Sequence, residues 1–428
     1  MKKIYAVLSY IITPFILLRF WLKSYHSSAY RQRLKERLAL FPKPPEPVIL
    51  WIHAVSLGEV IAAAPLVQRL QKQYPDHKIL LTTTTPTGSQ KALAAFGDSL
   101  LHVYAPLDQP AIIRRFLRKI QPKAVIMMET ELWPNWFFAC QKNNIPIIIA
   151  NARLSEKSQK GYRRIAPLIR STLNCIEKLL AQTSEDARRF IQLGLASEKV
   201  IVAGNIKFDL TIPEDIYEQG KKFRAIWGTQ RPVWIAASTH NGEDEIILEA
   251  FKTIKKDYPD SVLILVPRHP ERFDKAAELA EKAGFSTVLR THLTASANSS
   301  SQYEKMDVLI GNTIGEMFLF LTAADAVFIG GSLIPQGGHN LLEPAALYVP
   351  ILTGPNMFNF QKIYDDFTQN DSIITVYDAD SIAEAIKNFF TDPALCEEYA
   401  CRAFEIIKKN QGALEKHLKV IQTYTRDL

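Results

Sequence analysis

The fold is decided by the stretch AVFIGGSLIPQGGHNLLEP at residues 326–344. Its first residues are apolar and predict a buried strand, which leads through a glycine-rich loop into a helix predicted to begin near Asn340. Four glycines fall within residues 330–338, so a plain connection capped by Asn340 is the weaker interpretation. Backbone N–H groups at such a helix start are suited to bind an anion. The stretch therefore predicts one strand–loop–helix unit with an anion-binding loop.

The same alternation of strand and helix continues on both sides of this unit. Apolar stretches that predict buried strands recur at residues 48–53, 78–83, 101–104, 124–128, 146–150, 178–181, 200–203, 233–237, 262–266, 308–310 and 351–352. Amphipathic stretches that predict helices lie between them, for example at residues 59–73 and 244–255. This order is typical of an α/β fold with parallel strands.

A polar interruption at residues 210–231 separates two α/β units of similar size. A length of 428 residues also favours two domains over one core. We expect a membrane anchor at residues 1–25, an N-terminal domain at 26–212 and a C-terminal domain at 213–428, whose last helix stays there or returns to the N-terminal domain. Ligands bind beyond the carboxyl ends of strands in such sheets, so the loops after the strands are the candidate sites.

The N-terminal segment is apolar enough to be a membrane anchor. Residues 4–18 carry no charge, and extension to Leu22 approaches the roughly 20 residues that span a bilayer. A cleaved signal peptide is a second interpretation, but no cleavage site is evident before residues 27–29. A helix buried in the protein is the third. We favour an anchor, with the basic residues of 30–37 keeping the body cytoplasmic or resting on anionic headgroups. The segment does not decide between spanning and monotopic insertion.

Composition limits the class of protein. Apolar residues make up 47% and charged residues 22%, as in a globular protein rather than a disordered one. The net charge of +7 suits an anionic partner, or is simply an excess of surface lysine. The four cysteines form no CxxC pair and no zinc-type cluster, which favours free thiols in a reducing compartment and predicts no metal site.

Two familiar nucleotide-binding signatures are absent from the sequence. No GxGxxG follows the first strand, which disfavours a nicotinamide dehydrogenase, and no GxxxxGK[ST] occurs anywhere. Aromatic and basic residues are not interleaved as they are in proteins that read RNA or DNA, so we expect no nucleic-acid partner.

The first candidate loop is SLGE at residues 56–59, directly after the first strand. Gly58 permits a close ligand approach, and Glu59 would lie near a helix N-terminus as a carboxylate able to act as general base. The same S-x-x-E spacing fits a capping box formed by Ser56 and Glu59 equally well.

Three further side chains follow strands of the N-terminal domain. Glu129 and Glu131 come after the strand at 124–128 and would point to one face of an extended chain, which favours function over compensation of a helix dipole. Arg153 opens a basic stretch that either receives acceptor phosphates or is a solvated face. Lys207 is placed where the two units meet along the chain, which is a modest signal.

The C-terminal domain has similar loops after its strands. STHNGE at 238–243 is the first of them, and Arg268 and His269 follow the next strand and can hold an anion. GNTIGE at 311–316 offers backbone and hydroxyl groups to a base or phosphate. Glu343, in the first turn of the helix predicted near Asn340, can accept hydrogen bonds from ribose hydroxyls.

Taken together, these loops resemble the Kdo (3-deoxy-D-manno-octulosonic acid) transferase family of lipopolysaccharide biosynthesis. The resemblance covers nearly the whole chain through six ordered motifs: SLGE at 56–59, ETELWPN at 129–135, NARLS at 151–155, GNIKFD at 204–209, PRHPERF at 267–273 and GGHNLLEPA at 337–345. One such motif is a weak signal, whereas all six in one chain are a strong one.

The resemblance implies a GT-B fold, with two Rossmann-like domains facing across a cleft, in an enzyme of the bacterial inner membrane whose catalytic body lies on the cytoplasmic face. It implies CMP-Kdo as donor, lipid IVA as acceptor at its 6′-hydroxyl, inversion at the anomeric carbon and no cofactor. Catalytic roles are implied for Glu59, Glu129, Glu131 and Lys207. Binding of CMP-Kdo is implied for Arg268, His269, Thr313, Ile314, Gly315, Asn340, Leu341, Leu342 and Glu343, and binding of the acceptor for Ser56, Gly58 and Arg153.

Other functions remain open from the residues alone. A GT-B enzyme that uses another nucleotide sugar, or an epimerase of the same fold, fits the same loops. A membrane-docked module that binds lipid or nucleotide without catalysis is an alternative of another class. Neither the number of Kdo residues added nor the oligomeric state is predicted.

Overall fold

Two compact units make up the computed structural model, which describes residues 1–23, 25, 33–293 and 305–425. The first unit combines Met1–Asp209 with Asn410–Leu428, and the second is Leu210–Lys409. The division therefore falls between Asp209 and Leu210, rather than after residue 212 as predicted, and the C-terminal segment belongs to the first unit.

The first unit contains a seven-stranded sheet whose neighbouring strands all pair in parallel. Its strands are β1 (Val48–His53), β2 (Lys78–Thr83), β3 (Leu101–Tyr104), β4 (Ala124–Met128), β5 (Ile147–Ala152), β6 (Ile176–Ala181) and β7 (Val200–Val202). They are ordered β3-β2-β1-β4-β5-β6-β7 across the sheet. The strand order reverses between β1 and β4, so the loops after these two strands flank the topological switch point.

Helices lie between these strands and before and after the sheet. They are α1 (Lys2–Lys23), α2 (Leu34–Arg37), α3 (Leu57–Gln73), α4 (Pro86–Phe96), α5 (Pro110–Ile120), α6 (Pro134–Lys142), α7 (Glu156–Arg163), α8 (Ala166–Leu173) and α9 (Ser184–Gln192). Short 3₁₀ turns are found at Gly97–Ser99, Ser197–Lys199 and Ile206–Phe208. The crossover helices cover the sheet faces, and β1, β4 and β5 are buried along their whole length, as expected for a parallel sheet.

The second unit contains another seven-stranded parallel sheet, ordered β10-β11-β9-β8-β12-β13-β14. Its strands are β8 (Val233–Thr239), β9 (Val262–Pro267), β10 (Thr287–Leu289), β11 (Val308–Ile310), β12 (Ala326–Ile329), β13 (Ile351–Thr353) and β14 (Ile373–Thr375). Here the switch point lies between β8 and β12.

The described helices of the second unit cover its sheet in the same way. They are α10 (Ile216–Arg224), α11 (Asp244–Asp257), α12 (Phe273–Lys282), α13 (Met317–Thr322), α14 (Leu342–Ala346), α15 (Gln361–Gln369) and α16 (Ala379–Thr391), followed by α17 (Pro393–Asn410). Short 3₁₀ turns lie at Pro270–Arg272 and Arg290–His292.

The last helix, α18 (Ala413–Gln422), packs on the first unit for identifiable reasons. The Asp209 carboxylate accepts hydrogen bonds from the backbone N–H groups of Gly412 at 2.6 Å and Leu414 at 2.5 Å. Buried His417 accepts a hydrogen bond through Nε2 from the backbone N–H of Asn151 at 2.9 Å. The two bonds to Asp209 satisfy amides at the start of α18, which have no carbonyl partner within the helix. The bond from Asn151 to His417 fixes the helix beside β5.

Two basic residues of the segment 30–37, which is assigned from the sequence to the membrane side, form contacts within the protein. Arg37 is buried, its guanidinium donates to the carbonyl of Thr84 at 2.7 Å, and it stacks over the Tyr104 ring. Arg33 is held by Glu36 at 2.7 Å and also contacts Tyr104. These two arginines therefore stabilise the first unit instead of lying free for headgroups. Residues 30–32 of the basic cluster and the 27–29 segment lie outside the described residues.

Candidate functional site

At the switch point of the first sheet, Glu59 lies in the first turn of α3 and its carboxylate turns back toward β1. Glu59 Oε2 accepts a hydrogen bond from the backbone N–H of Val55 at 2.8 Å, and the Ser56 hydroxyl lies 3.3 Å from Oε1. Ser56 is the residue before α3, but its side chain caps no helix N–H. The capping box considered from the sequence is therefore not formed, although Glu59 does satisfy one amide of the loop.

The pKa of Glu59 is raised to about 8, mainly by burial; the Val55 amide acts in the opposite direction, and the negative charges of Glu129 and Glu131 also raise it. The effect of Glu129 and Glu131 on Glu59 shows that the three carboxyl groups form one electrostatic group, which we call the carboxylate cluster. A carboxyl with this pKa can exchange a proton near neutral pH, as a general base must.

Glu129 follows β4 with a backbone φ of 55°, in the left-handed region that residues other than glycine seldom adopt. The prediction that Glu129 and Glu131 share one face of an extended chain is therefore wrong, because the chain turns sharply at Glu129. Asn151, near the end of the neighbouring β5, has a φ of 53°. Strained backbone of this kind concentrates at functional sites, which favours a role for both strand ends.

The Glu129 carboxylate is nearly buried and pairs with Arg153 Nε at 2.6 Å. Arg153 is half-exposed, so it is anchored at one end and open to solvent along much of its length. The basic residues that follow it, Lys157, Lys160, Arg163 and Arg164, are exposed. The structure thus brings Arg153 to the carboxylate cluster and leaves its basic neighbours on the surface of α7 and at the residue after it.

Glu131 and Lys207 are the other two residues to which a catalytic role is assigned from the sequence. Trp133 Nε1 donates to Glu131 at 2.7 Å, and burial raises the pKa of Glu131 to about 7. Burial lowers the pKa of Lys207, while the charge of Glu129 acts in the opposite direction. The side chains of all four residues assigned to catalysis from the sequence, Glu59, Glu129, Glu131 and Lys207, therefore interact at the carboxyl edge of one sheet. Nothing lies within 4 Å of a Cβ added at Gly58, which leaves room for a ligand.

At the switch point of the second sheet, a buried carboxylate joins the two flanking loops. Glu243, just before α11, accepts hydrogen bonds from the backbone N–H groups of His240 at 2.9 Å, Gly331 at 2.7 Å, Ser332 at 3.0 Å and Leu333 at 3.1 Å. The sequence reasoning noted the loop of Glu243 but did not select the residue. Its four amide partners hold the loop after β12 against the loop after β8.

Two glycines allow these loops to meet. A Cβ on Gly330 would lie 2.6 Å from the carbonyl oxygen of Ser238, so a side chain there would force the loops apart. Gly331 has a φ of 68° and lies under the rings of His240 and His339. Close packing of the two loops thus explains two of the four glycines in residues 330–338.

Three histidines form what we call the histidine cluster: His240, His269 and His339. The rings of His240 and His339 are stacked with their Nε2 atoms 2.8 Å apart, and His269 meets His240 edge-on at a centroid distance of 5.4 Å. The pKa of His339 is lowered to about 3, mainly by burial and also by the charge of Arg268. The sequence predicts a role for His269 but not for His240 or His339. Both could have been recognised, because each lies in a loop that follows one of the two strands at the switch point.

Asn340 and Glu343 lie beside this cluster. Asn340 Nδ2 donates to Glu343 at 3.1 Å, and its Oδ1 accepts from the backbone N–H of Leu342 at 3.1 Å. Burial raises the pKa of Glu343, while Arg268 acts in the opposite direction. The helix here is the short α14, and Leu341 and Leu342 are buried, so their side chains are part of the core. Any contact of these two leucines with a ligand would have to use their backbone.

Thr313, Ile314 and Gly315 follow β11, which is separated from β8 by β9. Their loop is therefore placed beside that of Arg268 and not at the switch point itself. Thr313 donates to Glu316 at 2.5 Å, Glu316 pairs with Arg290 at 2.7 Å, and Ile314 is 84% exposed. A single exposed apolar side chain does not by itself mark a site, so the assignment of this loop to the donor stays a prediction.

Among the residues that the structure describes, no group of three or more His, Cys, Asp or Glu side chains is placed to hold a metal ion. Cys140 and Cys175 are buried free thiols, Cys396 is partly buried and Cys401 is exposed. The expectation that catalysis needs neither metal nor cofactor stays a prediction.

Comparison with solved structures identifies the fold. The UDP-GlcNAc 2-epimerase from Neisseria meningitidis, solved with UDP-GlcNAc bound, aligns with a TM-score of 0.55 at 16% identity, over 88% of this chain and 99% of that one. Together with the two parallel sheets, this likeness confirms the predicted GT-B class with two Rossmann-like domains.

Comparison with protein sequences identifies the family. Residues 32–210 match the family model described as 3-Deoxy-D-manno-octulosonic-acid transferase (kdotransferase). The 3-deoxy-D-manno-octulosonic acid transferase of Haemophilus influenzae is 40% identical over 98% of this chain and 98% of its own length. The enzyme of the same name from Bordetella pertussis is 34% identical over 88% of this chain and 87% of its own length. On this evidence the chain belongs to the Kdo transferase family of glycosyltransferases.

Proposed function

We propose that this protein transfers Kdo from CMP-Kdo to the 6′-hydroxyl of lipid IVA, with inversion at the anomeric carbon, on the cytoplasmic face of the bacterial inner membrane. The observation that carries the proposal is Glu59: a largely buried carboxyl with a pKa raised to about 8, at the switch point of the first sheet, in a chain that belongs to the Kdo transferase family.

Glu59 takes the proton of the acceptor hydroxyl as the hydroxyl oxygen attacks the anomeric carbon of Kdo. The bond from that carbon to the phosphate oxygen breaks, and its electron pair leaves with CMP. A single displacement of this kind inverts the anomeric configuration.

The second sheet supplies the groups suited to the donor. CMP-Kdo carries a phosphate and a carboxylate, and Arg268, His269 and the amides near Asn340 are donors for such anions. Glu343 suits a ribose hydroxyl, and the loop of Thr313–Gly315 suits the base. Charge on the departing CMP is offset by Arg268, which stabilises the transition state where negative charge develops.

The first sheet supplies the groups suited to the acceptor. Arg153 is anchored to Glu129 and extends into solvent, so its outer face is free for a phosphate of the lipid. Gly58 lets the acceptor approach the Glu59 carboxyl closely, because nothing lies within 4 Å of the position of an added Cβ. Lys207 balances the charge of the carboxylate cluster.

The test is transfer itself. Full-length protein is incubated with CMP-Kdo and lipid IVA, and the product masses are read. We expect masses increased by whole Kdo units, and the number of units gives the number of transfers. The same protein is then offered UDP and CMP in a binding assay, where we expect CMP to bind more tightly. Release of CMP without a glycosylated lipid, or preference for UDP with epimerisation of a UDP-sugar, would refute the proposal.

A further inference from the structure

Helix α1 presents an apolar surface to solvent along its whole length. It has 22 residues, and an 18-residue stretch of it has a mean hydropathy of 1.7, so the helix is long and apolar enough to cross a membrane. Its exposed large apolar residues are Ile4, Val7, Leu8, Tyr10, Ile11, Ile12, Phe15, Leu18, Trp21 and Leu22. Basic residues lie near both ends, Lys2 and Lys3 at the start and Arg19 and Lys23 at the end. A continuous surface of this kind on a folded protein marks an interaction site.

The opposite side of α1 faces the first unit and is partly covered by it, with Thr13 buried and its neighbours on that side half-buried. Its buried and half-buried residues fall at helical spacing from one end to the other: Tyr5, Ala6, Ser9, Thr13, Ile16, Leu17 and Phe20. Three- and four-residue intervals place these side chains on one face of the helix. This half-buried face therefore runs the length of α1, and its contacts hold the helix against the first unit.

Contacts of known geometry fix both ends of this face. The Tyr5 hydroxyl donates to Asp108 at 2.8 Å, and Lys2 Nζ lies 4.3 Å from the ring centre of Phe138. At the other end, the Arg37 guanidinium lies 4.3 Å from the ring centre of Phe20. At about 1.5 Å per residue, Lys2 and Phe20 are roughly 27 Å apart, close to the ~30 Å thickness of a hydrocarbon core.

This geometry decides between the two modes of insertion. If α1 crossed the bilayer while packed in this way, Asp108 and Arg37 would be carried to different depths of the hydrocarbon, where charged groups are strongly unfavourable. If α1 lies parallel to the surface, only its exposed apolar side enters lipid and the packed face keeps its polar contacts. We propose that α1 is an interfacial helix that lies flat in one leaflet of an anionic phospholipid bilayer, docked on the first unit.

The docking also orients the first unit. Asp108 lies after β3 and accepts a hydrogen bond from the backbone N–H of Trp136 at 3.0 Å, at the start of α6. Arg37 bonds to Thr84 just after β2. Both contacts are at the carboxyl ends of strands, the edge that carries the carboxylate cluster. The membrane surface therefore adjoins that edge, which suits a lipid-borne acceptor; this last step rests on the proposed function.

Labelling of single cysteines in vesicles tests the mode of insertion. Cys396 and Cys401 are replaced by serine, which leaves the buried Cys140 and Cys175, and Lys3→Cys or Lys23→Cys is added. The full chain is bound to preformed vesicles of phosphatidylethanolamine and phosphatidylglycerol and treated with a membrane-impermeant maleimide. We expect both positions to be labelled equally without detergent. Labelling at position 3 only after detergent, with position 23 labelled throughout, would show a spanning helix and overturn the proposal.

A second measurement tests the apolar face. Ile11→Glu places a charge on the exposed side of α1, and Lys35→Gln makes the same change in net charge at an exposed position of α2. We expect the fraction that sediments with the vesicles to fall several-fold for Ile11→Glu and little for Lys35→Gln. Equal losses would mean electrostatic adsorption and would refute insertion. Kdo transfer is measured separately with detergent-dispersed acceptor, so a failure of the proposed function is distinguishable from a failure of this inference.

Discussion

Arg153 and Glu129 form an ion pair of 2.6 Å at the carboxyl edge of the first sheet. Glu129 belongs to a cluster of three carboxyl groups, and the charge of Glu129 is one cause of the raised pKa of Glu59. Because Arg153 neutralises part of that charge, the ion pair connects a residue assigned to the acceptor with the residue assigned as base. The protonation of Glu59 should therefore depend on side chains that do not touch the substrate hydroxyl.

The first prediction concerns pH. With the pKa of Glu59 raised to about 8, a base at this position is protonated at low pH and becomes active as pH rises. We expect kcat/KM for Kdo transfer to rise between about pH 6 and 9 with an apparent pKa near 7–8, a value shared by the coupled carboxyl groups of Glu59 and Glu131. A pH–rate series with CMP-Kdo and lipid IVA measures it. A profile flat down to pH 5 would remove Glu59 from the role of base.

The second prediction uses the ion pair. Arg153→Gln removes the positive charge beside Glu129, so the carboxylate cluster becomes more negative and the pKa of Glu59 rises further. We expect the acid limb of the pH profile to move upward by less than about one unit, because the pair is half-exposed and screened. Lys157→Gln, an exposed change of the same charge on α7, is the matched control and should leave the limb in place. Equal shifts in both variants would indicate a general charge effect.

The third prediction separates chemistry from folding. Glu59→Gln keeps the size of the side chain and removes the base, so we expect kcat to fall by roughly 10²–10⁴-fold, with CMP binding unchanged. A carboxyl whose pKa is higher in the folded chain than in the unfolded chain takes up a proton on folding. Its contribution to stability is therefore fully present at low pH and is lost as pH rises from the unfolded value of about 4.5 toward the folded value of about 8.

Stability measurements provide the control for that variant. At pH 8.5, above the pKa of Glu59, the wild-type protein buries a charge that Glu59→Gln does not have. We therefore expect the melting temperature of Glu59→Gln to be equal to or higher than that of wild type at this pH. A clearly lower melting temperature together with the loss of activity would mean that Glu59 acts in structure and not in proton transfer.

The sequence allowed most of the fold to be predicted because buried parallel strands are visible as apolar runs. β1 and β9 are buried along their whole length and were placed closely. Thr287–Leu289 and Ile373–Thr375 were missed because these three-residue strands lie at the edges of their sheet, where half-buried residues leave no apolar run. Edge strands pair on one side only and need less apolar surface.

The site was predictable in part for a related reason. The side chains that follow strands were found, since the position of each strand was known. The left-handed turn at Glu129 has no signature, because no glycine marks it. The contact of His240 with His339 joins residues 99 positions apart, and no local pattern shows such a pairing. The burial of Arg37 was missed because its partners, Thr84 and Tyr104, are brought to it only by the folded sheet.

The fourth prediction concerns the buried carboxylate of the second sheet. Glu243→Gln replaces one acceptor oxygen by an N–H₂ group, which faces backbone N–H groups that also donate, so the loops after β8 and β12 lose their common anchor. We expect the KM for CMP-Kdo to rise about tenfold, with a smaller change in kcat, and a loss of stability of about 2–4 kcal/mol. Glu245→Gln, an exposed position in the first turn of α11, is the control and should change neither KM nor stability. An unchanged KM would show that Glu243 stabilises the fold without positioning the donor loops.

The last prediction asks whether the glycine loop acts through its shape or through its contact with the histidine cluster. Gly331→Ala places a Cβ 3.2 Å from the ring of His339 and 3.3 Å from that of His240, at a φ of 68°. Gly242→Ala has the same kind of backbone strain, with a φ of 92°, but nothing lies within 4 Å of its Cβ. Both variants should lose about 1–2 kcal/mol of stability from the left-handed backbone. Because only the first displaces the stacked rings, we expect CMP affinity, measured by calorimetry, to fall severalfold in Gly331→Ala and to stay near wild type in Gly242→Ala. Equal affinities in the two variants would mean that the ring stack has no part in holding the nucleotide.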